Sequence, residues 1–252
     1  MEERKLKEKE FANERYSGHF EHVQNRNYYS IARKTFAFVD EWIQTNCPGK
    51  KVLDYCCGLG ETSFKVSKND AEVVGIDLSD KAIAYCQSEA KKHGLENKCS
   101  FYVMDAENTE FKDNSFDLAF CMGVLHHLNL QNAYQELSRL VKPEGKIFCL
   151  EALGHNPLIQ LYRRLTPQMR TEWETEHILT VDKIKQAEIY FEKVDIHFFN
   201  FSTLFAVPFR NTRLFNPFLS FFEKIDNTIF NFPIFQKNAW MVIFILQNPK
   251  RN

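Results

Sequence analysis

The stretch from Lys51 to Gly60 limits what this chain can fold into more than any other part of it. Val52, Leu53, Asp54 and Tyr55 read as the end of a buried strand. The strand runs straight into Cys56-Cys57-Gly58-Leu59-Gly60, and Glu61 to Lys68 reads as a helix directly after. A strand, a cramped turn of small residues and a helix start bring free backbone N–H groups to the strand's carboxyl end. Glycine lets a ligand come close to the backbone there. Units of this kind imply a parallel sheet with helices packed on it.

The same rhythm continues downstream. Glu72 to Ile76 reads as a second strand and Asp80 to His93 as a helix that Ser79 or Asp80 can cap. Ser100 to Met104 and Phe116 to Cys121 read as further strands, Gln131 to Leu140 as a helix, Lys142-Pro143-Glu144-Gly145 as a turn, and Lys146 to Glu151 as a fifth strand. Beyond Glu151 the pattern loosens. Val181 to Phe191 reads as a helix, and Val194 to Phe201 and Trp240 to Gln247 as strands. Residues 202–238, between those strands, form a long connection rich in phenylalanine; such connections serve as lids, binding elements or docking surfaces.

Bulk properties narrow the function classes. The 252 residues suit one α/β domain with additions. With 32 basic and 33 acidic residues the formal net charge is -1, which favours no nucleic-acid partner. Mixed charges in the first ten positions read as a solvated helix start. The 7 cysteines include no C-x-x-C pair and suggest neither a disulfide framework nor a metal site. The charged start lacks the apolar segment of a signal peptide, and no apolar run reaches a membrane span, so a cytoplasmic location is expected.

The acids carry the chemistry. Asp77, closing the second strand, stands where an adenosine-binding sheet uses a carboxylate for the ribose hydroxyls. A dinucleotide loop would place a third glycine where this chain has Ser63, and Asp54 would repel a pyrophosphate. Beside a cationic amino group Asp54 is well placed.

With Asp105 in Met104-Asp105-Ala106 and the segment Val124-Leu125-His126-His127-Leu128, these features resemble the class I S-adenosylmethionine-dependent methyltransferases of the small-molecule branch. The resemblance is good over residues 50–151. It implies an α/β fold: a Rossmann-like, seven-stranded, mostly parallel sheet with helices on both faces and an antiparallel last strand. It also implies a helical cap over residues 1–45, a cofactor domain over 46–252, and substrate or lid elements at 152–180 and 202–238. Carried over, the cofactor S-adenosylmethionine would meet Asp54 and the backbone of Cys56 and Gly58 at its methionine end, with Gly60 closing the turn. Asp77 would hold the ribose, Leu78 would pack on the adenine, Asp105 and the Ala106 backbone would read its edge, and the Cys121 backbone would contact the amino acid end. Cys56 departs from the family, which has glycine there. In such an arrangement Tyr28 and Tyr29 belong to an N-terminal helix over the cofactor, or to the core.

Methyl transfer to a hydroxyl or a carbon needs a base, for which histidine is suited. The candidates are His155, just past the fifth strand, and then His126 and His127, which are structural in many relatives; His177 is a minor one. Arg163, Arg164 and Arg170 either grip an acidic acceptor or pair with Glu172, Glu174 and Glu176. The phenylalanine-rich insert either lines an apolar site, or packs in the core or a homodimer interface. With Arg210, Arg213 and Lys224 it also permits transient contact with a membrane surface, without stable insertion. A small-molecule methyltransferase is the reading preferred on sequence. A nicotinamide-dependent oxidoreductase and a non-catalytic cofactor-binding or dimerisation module remain open beside it.

Overall fold

The computed structural model describes residues 2–16 and 29–251. It begins with helix α1 (Glu3–Glu14) and helix α2 (Arg33–Asn46), followed by strand β1 (Lys51–Tyr55). Helix α3 (Glu61–Ser67), strand β2 (Glu72–Asp77), helix α4 (Asp80–Lys92) and strand β3 (Cys99–Val103) complete the first half. Strand β4 (Phe116–Met122), a 3-10 turn at Leu125–His127, helix α5 (Leu130–Leu140) and strand β5 (Val141–Ala152) follow. Then come three short helices, α6 (Pro157–Leu165), α7 (Glu172–His177) and α8 (Val181–Lys185), and strand β6 (Phe191–Phe199). The insert contains a 3-10 segment (Ser202–Phe209), helix α9 (Phe215–Ile229) and helix α10 (Pro233–Gln236), and strand β7 (Met241–Pro249) closes the sheet.

The seven strands lie in the order β3-β2-β1-β4-β5-β7-β6. β1 to β5 pair in parallel, and β7 is antiparallel to both β5 and β6. This is the expected Rossmann-like sheet with an antiparallel last strand. The central strands β1, β4 and β7 are covered on both faces and are largely apolar, whereas the edge strands β3 and β6 carry exposed and polar residues. In β7, Met241, Ile243 and Ile245 enter the core on one face, and Val242, Phe244 and Leu246 enter it on the other. Helices supply stripes to match: Thr35, Val39, Trp42 and Ile43 are the buried positions of α2, at the three-and-four spacing of a helix face. Trp42 meets Phe120 edge-on at 5.2 Å beneath that helix.

Three boundaries differ from expectation. The helix expected over Val181 to Phe191 ends at Lys185, passes through a 3-10 segment (Gln186–Ile189), and yields Phe191 to β6. Phe191 pairs with Pro249 and is fully buried, so tertiary burial decides its state. Lys142 to Gly145, expected as a turn, lie within the bounds of β5. The pairing nevertheless skips from Phe116↔Val141 to Leu118↔Lys146, so those four residues loop out of the ladder. The connection at 202–238 is mostly helical. Among the described residues no helix is long and apolar enough to cross a membrane.

Candidate active site

Asp54, Asp77 and Asp105 stand at or just beyond the carboxyl ends of the adjacent strands β1, β2 and β3. In register Asp54 faces Gly75 and Tyr55 faces Ile76, so the acids of β1 and β2 share one rim. The turn between β1 and α3 is tightly bent: Cys56, Gly58 and Gly60 have φ of 59°, 51° and 74°. Cys56 therefore occupies a left-handed conformation that favours glycine, the residue the resemblance leads one to expect there. The bend is fastened to β2, because the Cys57 N–H donates to the Ile76 carbonyl at 2.8 Å and the Gly58 N–H to Asp77 Oδ2 at 2.9 Å. The other Asp77 oxygen accepts from the Ser79 N–H at 2.8 Å.

Asp54 is 3% exposed, and the Ser63 hydroxyl donates to it at 2.6 Å. Burial pushes its carboxyl up to about 6 against the pull of the Ser63 hydrogen bonds, and the Asp77 charge pushes in the same direction. A buried acid of this kind is an unmet demand for a cation. Burial likewise raises Asp77 above the usual carboxylate range, against hydrogen bonds from Ser79 and Gly58. Ala106 and Cys121 are buried, with the Ala106 carbonyl accepting from the Tyr55 hydroxyl at 2.5 Å; Leu78 is half-buried beside Asp77.

Helix α1 lies across this rim and holds it with charge. Lys5 Nζ sits 2.7 Å from Asp105 Oδ2, and an Arg4 guanidinium nitrogen sits 2.6 Å from buried Glu107. Lys9 reaches Asp80 at 3.0 Å, and the Ser79 hydroxyl donates to Asn13 at 2.5 Å. Tyr16, past the helix end, hangs over the glycine bend: a Cβ on Gly58 would lie 2.8 Å from its hydroxyl oxygen. The charged start of the chain is thus a docked element, contrary to the solvated face expected of it. Tyr28 lies outside the described residues, and Tyr29 packs on Trp240 at 5.6 Å.

The histidines separate. His126 Nδ1 lies 2.7 Å from Glu151 Oε2 and its Nε2 lies 3.8 Å from Glu174 Oε1. Burial pulls the His126 pKa down, but the Glu151 charge and hydrogen bond, together with Glu174, outweigh it and leave it raised. Glu151 also accepts the N–H groups of Val124 and Leu125, so this one acid pins the whole turn after β4. His127 Nδ1 is 2.9 Å from Glu8 of α1, whose second oxygen accepts from the Thr171 hydroxyl at 2.5 Å. His177 stacks on Trp173 at 3.5 Å. His155 is exposed on the carboxyl edge, one residue before Asn156, which caps α6. It is not drawn into the His126–His127 group.

His126, His127 and Glu174 bring ligand-type atoms within 4.8 Å of one another. Glu174 is nevertheless faced by Arg163 at 3.4 Å and Arg170 at 3.5 Å, so its charge is already matched and the group is a poor seat for a cation. Of the two roles open to these arginines, ion pairing is what the structure shows for Arg163 and Arg170; Arg164 is exposed. Glu151, Glu8, Arg4, Lys5 and Tyr16 escaped the sequence reading. Only Glu151 left a signal, as an acid ending an otherwise apolar strand.

Residues 52–145 match the family model described as a methyltransferase domain. The chain is 38% identical over 123 residues to phosphoethanolamine N-methyltransferase 3 of Arabidopsis thaliana, covering 46% of this chain and 24% of that one. It is 37% identical over 99 residues to a sterol 24-C-methyltransferase of Aspergillus fumigatus, covering 38% and 26%. Those matches thus take in about a quarter of each relative's length. Among solved structures, the geranyl diphosphate C-methyltransferase of Streptomyces coelicolor superimposes with a TM-score of 0.64 at 12% identity, covering 98% of both chains, and shares the fold. The strand order and the bent turn with its acids are those of a Rossmann-like sheet, and residues 52–145 of the chain are similar to a methyltransferase domain.

Proposed function

We propose that this chain binds S-adenosylmethionine across the carboxyl ends of β1 to β3 and transfers its methyl group to a small-molecule acceptor. The observation that carries this is Asp54: a carboxylate buried at the mouth of a glycine bend, raised to about 6 and with no cationic partner among the described residues. The ammonium of the cofactor's methionine end supplies that partner. The bound sulfonium supplies an activated methyl group, and everything else is the work of the chain.

In this reading the backbone of Cys56 and Gly58 holds the methionine end, Gly60 lets the bend close, and the Cys121 backbone lines the floor. Asp77 keeps lone pairs for the ribose hydroxyls beyond those taken by Gly58 and Ser79. Leu78 packs on the adenine, while Asp105 and Ala106 read its edge, with Lys5 holding Asp105 in place. Helix α1 and Tyr16 form the cap that excludes water, and residues 152–180 and 202–238 close the acceptor side.

His126, bonded to Glu151 and facing Glu174, is a positioning residue. His127 ties the cap to the site through Glu8. His155, exposed on the rim, is the group left to take a proton from a hydroxyl or carbon acceptor. The relatives named above act on an amine and on a sterol carbon, so the acceptor is assigned as a class. The reduced cysteines suit a cytoplasmic setting.

Calorimetric titration with S-adenosylmethionine tests the proposal. Saturable binding is expected, weakened roughly tenfold or more by Asp77→Ala and by Asp54→Asn. Affinity should fall as pH drops through about 6, because Asp54 must be ionised to accept the ammonium. Binding of a reduced nicotinamide cofactor in its place would overturn the reading.

A further inference from the structure

The insert at 202–238 segregates its charges. Its two acids point inward: Glu223 and Asp226 are each 5% exposed. Glu223 is gripped by Arg33 at 2.7 Å, and Asp226 accepts the N–H groups of Phe201 and Ser202 and the Ser202 hydroxyl. Its basic residues face out, with Arg213, Lys224 and Lys237 exposed and Arg210 half-exposed.

Between those cations stand apolar tips that the core does not take. Phe205, Leu214, Phe221, Phe232 and Ile234 are 54% to 67% exposed. α6 adds Leu158, Leu161 and Leu165 with exposed Arg164, and it is tied to the end of the insert by the Asn156 amide donating to the Asn238 carbonyl at 2.7 Å. The insert joins the end of β6 to the start of β7, and both lie at the carboxyl edge of the sheet. Several large apolar side chains exposed on neighbouring elements mark a candidate interaction site.

We propose that this face docks on an anionic lipid bilayer, with the phenylalanine, leucine and isoleucine tips entering the acyl boundary and the lysines and arginines meeting acidic headgroups. Charge decides between this occupant and a second copy. A twofold dimer through this patch would set basic residues against the same basic residues, with the insert's acids buried and unable to answer them. An anionic surface supplies the missing counter-charge. Among the described residues no helix is long and apolar enough to span a membrane, and the proposed attachment is peripheral and reversible.

Vesicle co-sedimentation of the full chain tests this without any assay of methyl transfer. Phosphatidylcholine vesicles containing phosphatidylserine should carry the protein down at low salt, and vesicles of phosphatidylcholine alone should carry far less. Each removed cation should weaken partitioning about fivefold. The triple variant Arg213→Gln, Lys224→Gln, Lys237→Gln should therefore lose roughly a hundredfold. Phe221→Ser with Phe232→Ser should lose at least tenfold at unchanged melting temperature. Failure of the unmodified chain to bind acidic vesicles would overturn the proposal, as would binding that neither variant alters. So would a dimer in sedimentation velocity that the phenylalanine variants convert to monomers.

Discussion

Helix α1 and the insert both cover the carboxyl edge of the sheet, and they use charge in opposite senses. α1 buries no residue and turns Arg4, Lys5 and Lys9 toward the acids of the rim. The insert sends Leu204, Ala206 and Leu219 into the core, consumes its two acids internally and shows its cations to the outside. A cover held by ion pairs responds to salt and pH and can lift at modest cost. A cover held by apolar burial and a multiply bonded carboxylate stays in place.

The largest effect that sharpens this contrast belongs to the root of the insert. Asp226→Ala takes the acceptor from the Phe201, Ser202 and Thr203 amides and from the Thr203 hydroxyl, and leaves the Ser202 hydroxyl only the Phe222 carbonyl. It should cost about 3–5 kcal/mol in urea unfolding. A loss under 1 kcal/mol would mean the insert is not anchored there.

Next comes the seat of α1. Arg4→Ala with Lys5→Ala removes the partners of Glu107 and Asp105. It should open α1 by about 2 kcal/mol, read as faster amide exchange confined to residues 3–14. High salt should do the same to the unmodified chain and leave α9 protected; equal loss of protection in both would erase the distinction.

Smaller again is the response to acid. Burial raises the Glu8 pKa, but hydrogen bonds from His127 and Thr171 and their attendant charges outweigh it and leave it below 4.5. Its contribution is complete above the unfolded value of 4.5 and is lost as pH falls through the lower folded value. His126 runs the other way: its contribution is complete below 6.5 and is lost as pH rises through its raised folded value. Arg4 lies 4.7 Å from the centre of the Trp173 ring, so Trp173 fluorescence should report α1 lifting in acid. No change in that signal down to the unfolding transition would remove Glu8 from the account.

The smallest effect is expected on the outer face of the insert. Phe221→Ser and Lys224→Gln should each change stability by no more than about 0.5 kcal/mol, because both side chains are mostly exposed and Phe221 packs only its edge on Phe222. A larger loss would show that this face is structural.

How much of this was legible beforehand follows from where the forces act. β1, the bend at Gly58 and Gly60 and the acid at Asp77 are written in contiguous residues, because a buried strand and a left-handed turn each demand particular side chains locally. Leu137 and Leu140 mark α5 in the same way. The resemblance implied a helical cap over residues 1–45, but the contacts that dock α1 were not legible. A helix that is polar all round carries no stripe, and its partners at Asp105, Glu107 and His127 lie a hundred residues away in sequence. Nor was the switch at Phe191 from helix to strand, since Pro249 supplies its pairing. At the site, the three acids followed from motif and spacing. The clamp of Glu151 on His126 arises only when β4 and β5 lie side by side, and the cluster at Glu174 depends on how α7 meets the turn after β4.

The position of β7 has a consequence for how the molecule is made. It lies between β5 and β6, both of which leave the ribosome before it. Until residues 241–249 emerge, β5 presents an unpaired edge and β6 has no neighbour in the sheet. The half from β1 to β4 can assemble during synthesis, whereas the β5 edge stays open to wrong partners until β7 has been made. Nascent chains arrested before Met241 should therefore be the species that chaperones hold.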